Sequence, residues 1–141
     1  MNIFFSILSI AYIAGIFLLA DSSMVSDVAL FNPFSLLHIP LYGILTLLLI
    51  LSFPPSKQKC ADTINSSNLV VAGIIALVVA IVDEIHQAYL PNRNASVIDV
   101  FLDLVGIICC ILLARRFQSQ SGFSKVKDFL RGITYKKAIF Y

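Results

Sequence analysis

The chain has 141 residues, 59% of them hydrophobic and only 13% charged, with no Trp, a net charge of +2 and a mean hydropathy of +0.92. A soluble domain is usually about one-quarter charged, so this composition excludes an ordinary water-soluble enzyme and leaves one small bundle of membrane-spanning helices. Three cysteines cannot complete a disulfide framework: Cys109 and Cys110 adjoin in an apolar run and read as small fillers, and Cys60 reads as a free thiol in a polar loop.

In chain order, residues 3–20 form an uncharged apolar run long enough to cross a hydrocarbon core of roughly 30 Å. A secretory signal would need a basic start and a small-x-small cleavage site. Leu18-Leu19-Ala20 is a poor one, so the run is expected to stay as a first span. Residues 21–33 are polar, with Asp21 and Asp27 and no Lys or Arg. The second span is expected over residues 34–53, with Pro40 early, where a missing backbone donor costs least, and Pro54-Pro55 as its stop. A polar loop with Lys57, Lys59 and Asp62 leads to a third span over residues 69–90 and, after a short link holding Pro91 and Arg93, a fourth over residues 97–114. Ser96 with Asp99 three residues later has the acidic form of a capping box.

The fold class expected is therefore all-α, an integral membrane bundle of four transmembrane helices in one domain over residues 1–114. Lys57, Lys59 and seven basic residues after position 114 lie on one side and Arg93 alone on the other, which places both termini in the cytoplasm. In the tail, residues 115–141, Phe123, Val126, Leu130 and Ile133 recur at helical spacing among Lys125, Lys127 and Arg131. This tail reads as a basic amphipathic helix on the inner leaflet, or as a loosely ordered segment that fixes topology.

The chemistry concentrates in residues 83–106. Asp83, Glu84, His86 and Gln87 close the third span, while Asp99 and Asp103 open the fourth. Ionisable groups at membrane depth are expensive and tend to mark function. Asp99, Asp103, Gly106 and Cys110 keep one helix face, a stripe of small and polar groups through which the fourth span should pack closely on the third at Gly106. Asp83, His86 and Gln87 share a face of the third span, with Glu84 turned about a quarter-turn aside. His38 and Tyr42 lie one turn apart on the second span, and Arg93 can reach down from the link. The topology brings all of these to one depth on the extracytoplasmic side. Four neighbouring carboxylates cannot all stay charged without partners: Arg93 and a protonated His38 or His86 can offset part of the charge, and one acid can keep its proton.

Two readings of the cluster stand side by side. Polar groups in a membrane must find partners whether or not they do chemistry, so the cluster can be a hydrogen-bonded lock between helices. It also holds more polar groups than locking requires, and that favours a site. The carboxylates and two histidines offer an oxygen–nitrogen set for a divalent metal, although the spacing matches no metal motif and singles out no ligand. Acid–base chemistry and recognition of a lipid phosphate or sugar headgroup fit the same groups.

The string Asp83-Glu84-Ile85-His86-Gln87, then Pro91-Asn92-Arg93, Ser96, Asp99 and Gly106, with His38 and Tyr42 upstream, resembles the VanZ-like family of small membrane proteins. The resemblance covers roughly residues 1–114 and leaves out the tail. This chain has Asp103 where the family usually has Asn, and Phe34-Ser35 where it often has Asp-Lys. The family is named for a glycopeptide-resistance protein that raises teicoplanin tolerance. The resemblance therefore implies a bacterial cytoplasmic-membrane protein with an envelope role. The expected function is recognition or processing of an envelope lipid or glycolipid headgroup, with membrane lipids and no nucleic acid as partners. The alternative is a non-catalytic accessory subunit packed among other membrane subunits.

Overall fold

In the computed structural model, residues 2–20, 36–54, 65–90 and 95–119 are described. Among them lie four helices and no strand: α1 (Ile3–Ala20), α2 (His38–Ser52), α3 (Ser66–Ala88) and α4 (Val97–Ser119). Three of the four are long and apolar enough to cross a membrane; α2 is a shorter apolar helix.

Each boundary has a local cause. Phe53 is extended because it precedes Pro54, which disfavours helical backbone before it. Asn65 caps α3 by accepting from the Ser67 N–H at 3.1 Å, so the third helix starts at Ser66 rather than at residue 69, and it ends at Ala88 rather than 90. The second helix is 15 residues rather than the expected 20, beginning at His38 after a 3₁₀ turn at residues 36–37. At roughly 1.5 Å per residue it is only about 22 Å long. The fourth helix runs past residue 114 to Ser119, because Arg115-Arg116-Phe117 contains no Gly or Pro to stop it and Arg116 suits the negative helix end.

Hydroxyls inside the apolar helices are satisfied locally. Ser9 and Thr46 donate to the carbonyls of Phe5 and Tyr42, four residues back, at 2.8 and 2.7 Å, and Ser52 donates to Leu49 at 2.7 Å. In a medium without water, an idle hydroxyl would cost more than this back-bond.

Contacts at the helix ends give the topology. The Asn2 N–H donates to the Ser52 carbonyl at 2.8 Å, which sets the start of α1 beside the end of α2. Asn68 donates from Nδ2 to the Pro54 carbonyl at 3.3 Å, bringing the start of α3 to the same end. At the far end the Ser96 N–H reaches Glu84 on α3. The order is up-down-up-down, with α2 packed on all three other helices and most extensively on α4.

The interior is narrow. Leu69, Ala72, Ala76 and Ala80 form a buried stripe on α3 that leads straight into Asp83 and Gln87. Small side chains let the helices approach closely where no hydrophobic effect drives them together. Outward, Ile7, Ile74, Val78 and Leu112 are exposed, an apolar surface far too extensive for a water-soluble protein.

Gly106 is where α4 meets α2. A Cβ built there would collide with the Ile39 carbonyl oxygen and come within 3.0 Å of the Ile39 Cα. The expected packing of the third and fourth spans through Gly106 is therefore corrected: this face of α4 meets the backbone of α2.

Candidate functional site

At one end of the bundle α2 begins, α3 ends and α4 begins, and three helices deliver their polar side chains to one level. His38 is the first residue of α2 and Tyr42 follows one turn on, their rings nearly parallel at 6.4 Å. His38 Nδ1 and Asp103 Oδ1 of α4 are 2.9 Å apart, with Asp103 only 1% exposed. Tyr42, fully buried, donates its hydroxyl to Asp83 Oδ2 at 3.2 Å, and Gln87 Nε2 donates to the same oxygen at 3.1 Å.

Glu84 is buried rather than turned aside, because the start of α4 lies against it. Its Oε2 accepts the Ser96 N–H at 2.8 Å. The Ser96 hydroxyl in turn accepts the Ile98 N–H at 3.2 Å. Ser96 therefore caps the first turn, though at Ile98 and not at the Asp99 N–H that a capping box uses. The reciprocal half, which would have used Asp99, is supplied from the neighbouring helix by Glu84. Asp99 is thereby released from capping.

The result is a surplus of acceptors. Asp83 Oδ1, Glu84 Oε1, Asp99 Oδ1 and Asp103 Oδ2 are each buried, with no hydrogen-bond partner among the described residues. A buried acceptor left unmet costs about 1–3 kcal/mol, and more when charged. Each of the four carboxylates thus keeps one oxygen that the described residues do not use. One nitrogen and two oxygen donors, from His38, Glu84 and Asp99, lie within 4.8 Å of one another.

His86 stands apart from that set. Half-buried, its ring meets Phe17 of α1 edge-on at 5.5 Å and 67°. Phe17 thereby brings the first helix into the wall of the site. Nothing in the uniformly apolar run of residues 3–20 marked it for that. Arg93 and Pro91 of the link lie outside the described residues, as do Cys60, Lys57, Lys59 and the tail from residue 120 onward.

Four helices among the described residues, three of them apolar and of membrane length, with a polar cluster at one end of the bundle, define a small polytopic membrane protein. A sequence model of the VanZ/LLP1 family matches residues 2–118, and the chain belongs to that family. No curated protein and no solved structure matches it.

Proposed function

We propose that the cluster is an outward-facing site for the headgroup of an envelope lipid or glycolipid, which it recognises or processes at the outer leaflet of a bacterial cytoplasmic membrane. The observation that carries this reading is the set of four carboxylates, each with one buried oxygen unclaimed by the described residues. A lock between helices would use its acceptors up. A headgroup rich in hydroxyls supplies the missing donors, and Tyr89, 84% exposed at the same end of α3, suits the interfacial level where headgroups lie. The basic residues at positions 57, 59 and beyond 114 orient this end away from the cytoplasm and keep both termini inside. A contribution to glycopeptide tolerance follows if the bound lipid carries a cell-wall intermediate. The second reading, an accessory subunit, draws on the His38–Asp103 and Tyr42–Asp83–Gln87 bonds, which all close within the chain.

The placement is tested in intact cells with a membrane-impermeant thiol reagent. In a Cys60→Ser background, Asn92→Cys is expected to label without lysis. With Asn92 unchanged, native Cys60 is expected to label only after lysis. The reverse pattern would put the cluster in the cytoplasm and remove the outer-leaflet reading.

A further inference from the structure

The acidic cluster contains a subset whose arrangement differs from the rest. His38 on α2, Glu84 on α3 and Asp99 on α4 each offer one ligand atom, all within 4.8 Å of one another. The His38 Nδ1 position is engaged by Asp103 Oδ1 at 2.9 Å. A carboxylate behind an imidazole is the arrangement that orients metal-ligating histidines, and it leaves Nε2 as the nitrogen free to ligate. Glu84 is 6% exposed; its Oε2 is taken by the Ser96 N–H and its Oε1 is buried without a hydrogen-bond partner among the described residues. Asp99 Oδ1 is in the same condition, because Glu84 has taken over the capping contact Asp99 would otherwise make. Two carboxylates and one imidazole, from three helices, therefore converge, and the described residues leave one oxygen of each carboxylate unclaimed.

We propose that His38, Glu84 and Asp99 bind one divalent transition-metal ion, with Asp103 as the positioning residue for His38. Charge favours this. Asp83, Glu84, Asp99 and Asp103 bring four negative groups to one end of the bundle. Two helix N-termini and two C-termini also meet at this end, and their partial charges of about half a unit each cancel. A hard oxygen-only ion such as Ca²⁺ or Mg²⁺ has no use for the imidazole, whereas Zn²⁺ and Mn²⁺ accept mixed nitrogen and carboxylate ligands. Three protein ligands also leave a coordination position open to an outside oxygen. This proposal does not depend on which headgroup, if any, the site takes.

The test uses the full chain in detergent with Cys60, Cys109 and Cys110 changed to Ser, so that thiols cannot supply zinc ligands. After chelator stripping, the protein is equilibrated separately with Zn²⁺ and with Mn²⁺, desalted and analysed for bound metal. About one equivalent per chain of at least one ion is expected. His38→Gln and Asp99→Asn should each abolish retention through desalting, and Asp103→Asn should weaken affinity by about 10–100-fold, the usual effect of disturbing an outer-shell partner. Should His38→Gln fail to fold, Asp99→Asn decides, since Asp99 is only partly buried at the start of its helix. If neither variant folds, pulsed electron paramagnetic resonance of Mn²⁺ on the unmutated site decides by the presence or absence of coupling to a histidine nitrogen. The proposal is overturned if folded protein retains neither ion, as when the Arg93 guanidinium fills the charge deficit. Full retention in both ligand variants, or bound Mn²⁺ without nitrogen coupling, overturns it equally.

Discussion

Gly106→Ala is expected to abolish the folded bundle, although it adds a single methyl group. The new Cβ would occupy the space of the Ile39 backbone carbonyl, and a helix backbone has no rotamer by which to move away. Overpacking commonly costs about 1–3 kcal/mol and occasionally more; a backbone obstacle on the most extensive helix contact belongs at the upper end or beyond. Two other glycines serve as internal controls. A Cβ at Gly43 would lie 3.5 Å from the Gly106 carbonyl oxygen, an ordinary contact, and one at Gly15 would meet nothing within 4 Å. The yield of monodisperse protein and its melting temperature should collapse for Gly106→Ala and stay close to wild type for Gly15→Ala and Gly43→Ala. Normal melting of the Gly106 variant would mean that α2 and α4 are not in backbone contact.

The second large effect is expected at Asp103. Asp103→Ala removes the partner of His38 Nδ1 and leaves a cavity beside a nearly fully buried position. Breaking a buried pair by removing one member costs about 3–5 kcal/mol. Asp103→Asn is different, because its amide oxygen can still accept from the His38 ring. That substitution keeps the bond and loses only its charge assistance, so it should cost about 1 kcal/mol, the difference between a charged and an ordinary hydrogen bond. Thermal unfolding in detergent separates the two variants. Equal losses would show that the interaction is charge alone; no loss in either would show that His38 and Asp103 do not pair.

Much of this was legible in the chain, and the parts that were not have physical reasons. An uninterrupted apolar run announces a helix of the right length, and α1 occupies residues 3–20 as read. Periodicity also put Asp99, Asp103 and Gly106 on one stripe. The neighbour expected at Gly106, the third span, was the wrong one, since a face is a local property and a partner is a tertiary one: α2 lies there. Glu84 was misjudged on similar grounds: a helical wheel drawn for α3 alone turns it away from Asp83, Gln87 and His86, but the start of α4 buries it through the Ser96 N–H. The capping signature at Ser96 was correct for the hydroxyl and incomplete for the acid, because a carboxylate from another helix competes for the same N–H. Phe17 left no trace at all. In a run where every residue is apolar, no pattern distinguishes the one ring that faces a histidine.

The central claim, that the carboxylates serve a ligand and not only the packing, is tested most directly at Glu84. Glu84→Gln keeps an oxygen that can accept the Ser96 N–H while removing the charge, so it spares the structural contact and disables the site. The measurement is a native mass spectrum of gently solubilised wild-type and Glu84→Gln protein, compared at matched folded fraction. The wild type is expected to carry a retained envelope lipid, and the variant to have lost it while melting close to wild type. Identical lipid complements in the two proteins, or lipid lost only in step with the folded state, would contradict the site and leave a lock between helices.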